Sequence, residues 1–438
     1  MKIPAKPPSV PTLLAKLAPE KFGQILTLNW GMAPGGRYRH WEKVRRIAPP
    51  EGFSTEQYWL GIKIARSFSR RELPGLLDHD GLPFSYTLPE PLLAMLHEID
   101  RKKAGQVALP GAATAENAER HLRSSLVEEA ITSSQLEGAS TTRPVAKAML
   151  HSGRPAQNRS EQMILNNHRA MHRIADLAKS PLSVKVIEDL HSTLTEDTAD
   201  QPIGYRTHGD GTAVYDQMSN LILFNPPPAD ESRHRLEALC AFANAETPTI
   251  HPAIKAVVIH FWLAYVHPFS DGNGRTARAL FYWAMKHHGY WLAEFVSISR
   301  LLRLAPARYG RAYLYTETDD NDLTYFILHA LDTFLRGVSE LEKYIVRKEA
   351  EYRSVAASLS PGGGLNHRQI ALLSHAVRHP DHPYTIESHK NHHGVVYQTA
   401  RTDLLELAEL GLLVKEKRGR NFVFAAATDL AVRLRRPG

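Results

Sequence analysis

The chain has 438 residues, enough for two or three domains with sizeable cores, and its 43% hydrophobic and 23% charged residues are ordinary for a globular protein. One cysteine, Cys240, excludes an internal disulfide and fits a reducing compartment, and no run of eighteen apolar residues suggests a membrane span. The net charge of +7 permits nucleic-acid contact without requiring it, and none of the 23 histidines pairs at convincing metal-ligand spacing. Met1 to Pro8 lacks the apolar core of a signal peptide, so a cytoplasmic location is expected.

After a Pro-rich leader, Ser54-Thr55-Glu56-Gln57 reads as the cap of a helix carrying Tyr58, Trp59, Ile62 and Ile64. Pro83 to Leu88 looks extended, and Pro91 to Lys102 helical. Ala115 to Glu137 is a predicted helix with Leu122, Leu126, Ala130 and Ile131 on one face, and Gly138 suits a left-handed cap behind it. Pro144 to Ala178 and Val184 to Asp197 continue as helices. Gly204-Tyr205-Arg206-Thr207 opens an irregular stretch. Thr212 to Tyr215 and Leu221 to Asn225 then flank Asp216 to Asn220 as a predicted hairpin.

Ile254, Val257, Val258, Phe261 and Tyr265 form an apolar helix face that leads into His267-Pro268-Phe269-Ser270-Asp271-Gly272-Asn273-Gly274-Arg275-Thr276-Ala277-Arg278. Thr276 to His288 reads as the next helix. The Gly-Asn-Gly loop can turn successive N–H groups into one concavity, and the helix start adds partial positive charge, so the loop suits phosphate. Arg275 and Arg278 share a helix face and add donors. Asp271 offers one hard oxygen for Mg²⁺, which takes one or two carboxylates plus substrate phosphates. His267 can accept a proton near neutrality.

Downstream, Asp319, Asp320 and Asp322 read as charge and capping at a helix start, ahead of a helix running to the 340s, rather than as metal ligands. Ser360-Pro361-Gly362-Gly363-Gly364 is a flexible break. Three helical segments follow, Asn366 to Arg378, Thr385 to His393 and Tyr397 to Leu410. A basic turn, Lys415 to Arg420, and a strand, Asn421 to Ala425, complete an order that looks like a winged helix. From Gly362 onward eleven Lys and Arg face seven Asp and Glu, a net +4 that is modest for a dedicated DNA binder. Docking onto a domain or partner and contact with DNA or RNA are both open for it.

The His267–Arg278 stretch resembles the signature of the Fic family at every defined position. The resemblance implies a mainly α fold: an all-helical Fic core with a β-hairpin flap, followed here by a small α+β winged-helix domain. The expected organisation is an N-terminal arm over 1–105, a catalytic domain over 106–350, a linker over 351–364 and the winged helix over 365–438. From Trp41, the arm with its Pro49-Pro50-Glu51-Gly52 resembles that of one bacterial subgroup. Family members usually transfer AMP from ATP to a Ser, Thr or Tyr hydroxyl of a target protein. On that likeness His267 is the base. Gly272, Asn273, Gly274 and Arg275 hold the α- and β-phosphates, Asp271 holds Mg²⁺, and Arg278 places the γ-phosphate. Ser133, Glu137 and Gly138 match the family's inhibitory motif, in whose class the glutamate pairs with the second motif arginine, here Arg278. The hairpin stands where the family carries a flap that pairs with target backbone.

The implied partners are ATP, a target protein that the sequence does not identify, and the chain itself through self-modification. A homodimer is left open and no membrane is implied. Three alternatives also stay open: a DNA-binding regulator whose Fic core senses nucleotide, transfer from another nucleotide donor, and removal of AMP with Glu137 placing water.

Overall fold

In the computed structural model of the chain the described residues are 2–103, 115–199, 203–208, 214–215, 222–246, 250–358, 364–418 and 421–434. The arm holds α1 (Val10–Ala15), α2 (Pro19–Leu28), the single turn α3 (Trp41–Val44) and α4 (Thr55–Ser67). Helix α4 starts at the predicted cap. Ser54 accepts from the Gln57 N–H, and the Gln57 side chain accepts from the Ser54 N–H. Its Trp59, Leu60 and Ile62 pack with Leu13, Ile25 and Val44 into one small core. Strand β1 (Arg71–Leu77) pairs antiparallel with β2 (Pro83–Tyr86). The sequence hides β1 because Pro74 and Gly75 interrupt it.

Next come α5 (Glu90–Lys103), α6 (Ala115–Leu136), α7 (Arg143–Ser152), α8 (Arg159–Leu177) and α9 (Val184–Thr195). The helix expected over Pro144 to Ala178 is two, because Gly153 closes α7 in the left-handed conformation, φ 68°, and Pro155 follows. Strands β3 (Val214–Tyr215) and β4 (Ile222–Phe224) pair antiparallel, Val214 opposite Phe224. The rest of the predicted hairpin, 212–213 and 216–221, lies outside the described residues. Then follow α10 (Ser232–Asn244), α11 (Pro252–Val266), α12 (Asn273–His287), α13 (Ile298–Leu304), α14 (Pro306–Thr318) and α15 (Thr324–Ser358). Helix α11 is buried on every side from Ala253 to Leu263, and α12 from Arg275 to Met285. This helix pair is the backbone of the core, so the loop between the two is rigidly held. Cys240 on α10 is buried, and burial with the nearby Glu237 pushes its thiol up to about 12, which keeps it inert.

The aspartates before α15 do more than cap it. Asp322 caps in the expected way, accepting from the Thr324 N–H at 3.0 Å. Asp319 is instead a fully buried counter-ion. Lys63 Nζ lies 2.7 Å from it and Arg66 Nη1 3.7 Å, while the Tyr325 hydroxyl donates to it at 2.7 Å. Burial works against its charge, yet Lys63 and Arg66 hold its pKa below the usual value. Arg66 also donates to the Arg39 carbonyl at 2.9 Å and covers the Tyr38 ring at 3.6 Å. The arm is thereby clasped to the start of α15. Asp319→Ala takes the buried carboxylate from Arg66 and leaves Lys63 with Asp320 alone, at 2.8 Å, so a loss of about 3–5 kcal/mol is expected in denaturant unfolding. A loss below about 1 kcal/mol would show that the clasp is not needed.

The chain divides into two compact units, one of Met1–Gln106, Glu128–Ser140 and Asn158–Gly337, the other of Val107–Val127, Thr141–Gln157 and Val338–Gly438. This differs from the expected domains because α6 and α15 each contribute to both units. Residues 351–358, expected as linker, continue α15, and 359–363 lie outside the described residues.

The second unit contains α16 (His367–Arg378), β5 (Tyr384–Thr385), α17 (Ile386–His393), α18 (Tyr397–Glu409), β6 (Leu413–Arg418), β7 (Asn421–Ala426) and α19 (Leu430–Arg433). The sheet runs β5-β7-β6 over a core that includes Leu373, Ala400, Leu404, Leu407 and Phe424. Asp403 of α18 ties this unit together through Arg368 at 2.6 Å, Asn366 at 2.7 Å and His389 at 3.1 Å. Helix α7 packs in the same unit, its His151 carbonyl accepting from the Asn391 side chain. Among the described residues no helix is long and apolar enough to cross a membrane.

Candidate active site

Helix α11 ends at His267, whose φ of 50° and ψ of 53° are left-handed, a conformation uncommon for a residue with a Cβ. Its Nδ1 lies 3.3 Å from the Ala264 carbonyl, which can only accept. Nδ1 therefore carries the hydrogen and Nε2 the lone pair. Burial lowers the imidazole's pKa below 6.5, while the Ala264 contact and the Glu137 charge oppose that shift. His267 is thus neutral at pH 7.

Phe269 plugs the loop into the core, its ring stacked on His191 with centroids 3.6 Å apart. Asn273 closes the loop onto Phe269. Its Oδ1 accepts from the Phe269 N–H at 3.0 Å, and its Nδ2 donates to the Phe269 carbonyl at 2.7 Å. Gly272 has φ 82°, and a Cβ there would come within 2.7 Å of Thr195. The N–H groups of Asn273, Gly274 and Arg275 open α12 with no partner inside their helix, a ready anion cradle.

Asp271 is bent back on its own loop, Oδ1 accepting from the Gly272 N–H at 2.6 Å. Its Oδ2 lies 3.4 Å from Arg275 and 3.5 Å from Arg159. The Arg275 side chain is fully buried and donates to the Leu194 carbonyl at 2.7 Å, so it braces Asp271 from beneath the loop. Arg278 is buried too, and α6 grips it. Nε donates to Ser133 Oγ at 2.9 Å, Nη2 to the Ser133 carbonyl at 3.0 Å, and Nη2 pairs with Glu137 Oε1 at 2.9 Å. Burial opposes its charge, but Glu137 holds its pKa above the ordinary value.

The Glu137 carboxylate projects because α6 stops at Leu136, with Gly138 at φ 94° turning the chain away. It rests over Gly274. A Cβ at that glycine would overlap Glu137 Oε1, with Cδ only 2.8 Å away. The structure therefore brings Ser133, Glu137 and Gly138 to the same site as His267 and the loop, and the carboxylate covers the anion cradle.

Three contributors escape the sequence reading. Arg206 donates to the His267 carbonyl at 2.7 Å, to the Val266 carbonyl at 3.2 Å and to the Pro227 carbonyl, fixing the strained end of α11. His191 reaches the Asp271 carbonyl at 2.9 Å. Tyr309 of α14 meets His260 at 2.8 Å beside Arg278, and His260 is pushed down to about 3 by burial and by the Arg278 charge. Each acts across long sequence separation. The one local sign is an arginine inside the irregular Gly204–Thr207 stretch.

A histidine lone pair, an anion cradle and a paired arginine at one site suit transfer of a phosphorus-bearing group to a hydroxyl. Residues 181–285 match the family model described as Fic/DOC family. The chain carries a Fic domain. The Fic match takes in α9 to α12 and leaves Ser133, Glu137 and Gly138 outside it. Protein adenylyltransferase fic-1 of Caenorhabditis elegans is 40% identical over 68 residues, 15% of this chain and 13% of that protein. Protein adenylyltransferase Fic of Nematostella vectensis is 41% identical over 56 residues, 13% of each. The aligned stretch thus spans only about an eighth of these curated relatives' length. Among solved structures, a Fic family protein from Desulfovibrio desulfuricans G20 has a TM-score of 0.49 at 18% identity, covering 78% of this chain and 98% of that one.

Proposed function

We propose that the chain is a protein adenylyltransferase that moves AMP from ATP to a Ser, Thr or Tyr hydroxyl of a target protein, itself included, and that Glu137 holds it in check. The names of the curated relatives support the activity over the aligned stretch. The observation that carries the control is the Glu137–Arg278 pair at 2.9 Å, lying over Gly274. In this reading the loop from Gly272 to Arg275 takes the α- and β-phosphates on the N–H groups of Asn273, Gly274 and Arg275, and Arg278 takes the γ-phosphate once released. His267 Nε2 accepts the hydroxyl proton as the hydroxyl oxygen bonds the α-phosphorus. The bond from that phosphorus to the bridging oxygen breaks, pyrophosphate leaves and AMP remains on the target. Positioning and fixed donors supply most of the rate. The β3–β4 hairpin aligns target backbone as an added strand.

Among the described residues no group of three or more His, Cys, Asp or Glu side chains could hold a metal ion. One carboxylate completed by phosphate oxygens and water nevertheless fits Mg²⁺, and Asp271 is the residue that would hold it. Mg²⁺ would offset phosphate charge there. Asp271→Ala is expected to remove activity together with its Mg²⁺ dependence. A variant that still needs Mg²⁺ at the wild-type concentration would place the ligand elsewhere.

Removal of AMP, with Glu137 placing water, is a second reading. The winged-helix reading of 365–438 rests on its helix order and β5-β7-β6 sheet, and leaves contact with DNA as a further role. Mass spectrometry of a lysate treated with Glu137→Gly protein and isotopically labelled ATP, GTP and UTP tests donor and target together. Adenylyl groups on protein hydroxyls support the proposal. Exclusive uridylyl or guanylyl marks, or loss of pre-existing AMP, overturn it.

A further inference from the structure

Helix α6 carries a buried acidic side chain that adenylyl transfer leaves unexplained. Glu129, Ser133 and Glu137 recur at four-residue spacing, which puts them on one side of α6. Tyr282, Arg278 and Gly274 recur at the same spacing along α12, in the reverse sense. At two of these three levels α6 meets α12 directly, with Ser133 on Arg278 and Glu137 over Arg278 and Gly274. At the third, Glu129 and Tyr282 close on the same piece of chain, Val296 to Ser299.

Glu129 is only 2% exposed, and a buried acidic group needs donors. Its Oε2 accepts from the Ser297 hydroxyl at 2.8 Å and from the Ser299 N–H at 3.1 Å, and its Oε1 from the Ser299 hydroxyl. Tyr282 donates to the Val296 carbonyl at 2.9 Å and accepts from the Ile298 N–H at 2.9 Å. Thr132, beside Ser133 on α6, has its hydroxyl 3.2 Å from that of Ser297. Hydrogen bonds to a carboxylate are the stronger kind, so Glu129 is the firmest of these ties.

With α6 docked, Glu137 stays over the cradle and keeps ATP out. The docked helix also keeps Ser133 on Arg278, which aims the guanidinium at the γ-phosphate position. One anchor thus serves both the block and the grip.

We propose that Glu129 is a positioning residue that docks α6 on the core, acting through Glu137 to inhibit and through Ser133 to aim Arg278, a role that rests on the adenylyl-transfer reading above. Inhibition is then lifted by movement of the Glu137 side chain while α6 stays in place.

The test is self-modification of full-length protein with α-labelled ATP, with Glu129→Gln placed in the wild-type and Glu137→Gly backgrounds. Glutamine keeps the shape but gives up the charge and one of the two acceptors. In wild type a loosened α6 frees the cradle, so the rate at saturating ATP is expected to rise about threefold or more. In Glu137→Gly protein no block remains and only the grip is lost. There the KM for ATP is expected to rise about threefold or more, with kcat little changed. Ser299→Ala takes one donor from Glu129, and it is expected to act in the same two directions by less if Glu129→Gln folds poorly. Amide hydrogen exchange over residues 128–136 is expected to quicken in both variants. Equal losses in the two backgrounds would reduce Glu129 to a stability residue and overturn the proposal, as would unchanged rates or unchanged exchange. No label on Glu137→Gly protein at any ATP concentration would instead sink the transfer reading, and this role with it.

Discussion

His267→Ala is expected to lower adenylyl transfer by about 10²- to 10⁴-fold, the usual contribution of proton-transfer catalysis, with ATP affinity little changed. The split follows from the site. The His267 ring hydrogen-bonds Ala264 and presents Nε2, while phosphate contacts fall to the α12 N–H groups and Arg278. Because burial lowers the His267 pKa, the acid limb of kcat/KM lies below pH 6.5, where protonation removes the lone pair. Transfer is thus full at pH 7 and falls as pH drops through the folded pKa. An acid limb above pH 6.5, or a variant that loses ATP affinity yet keeps turnover at saturation, would remove His267 from this role.

Glu137→Gly is expected to raise transfer, self-modification included, by at least about tenfold, equal to some 1.4 kcal/mol. The carboxylate leaves its place over Gly274, so the cradle opens and Arg278 loses its counter-ion. Ser133 still holds Arg278 by side chain and carbonyl, so the guanidinium stays aimed rather than swinging free. Adding Arg278→Ala should erase the gain, since both changes act on one contact. A Ser133→Ala change on the Glu137→Gly background separates grip from block. A drop in activity there marks Ser133 as a positioning residue. Equal rates for wild type and Glu137→Gly at saturating ATP and Mg²⁺ would leave Glu137 an ordinary helix-end residue.

What the sequence made legible is chemistry that acts over a few residues. The Ser54–Gln57 cap, the stop at Gly138 and the Gly272–Gly274 turn all lie where residue type dictates backbone shape. The glutamate and the second arginine were legible as partners only through the family likeness, since 141 positions separate Glu137 from Arg278. Long-range pairings left no local trace. Arg66 reaches Asp319 from the far end of its unit, and Arg206 meets the His267 carbonyl from an irregular segment. The aspartates before α15 read as caps because a sequence shows their charge but not the Lys63 and Arg66 side chains beside them. Likewise α7 looked like part of one long helix, and its place in the second unit depends on packing rather than on any motif.

The central claim is that an adenylyl group, and no other part of ATP, moves to protein once Glu137 is removed. The most direct measurement incubates Glu137→Gly protein with Mg²⁺ and ATP labelled at either the α- or the γ-phosphate, and follows label fixed to the chain, with Glu137→Gly/His267→Ala as the control. Covalent label from the α-position, none from the γ-position, and loss of the α-label in the double variant are expected. Label from the γ-position, or α-label that persists without His267, would contradict it.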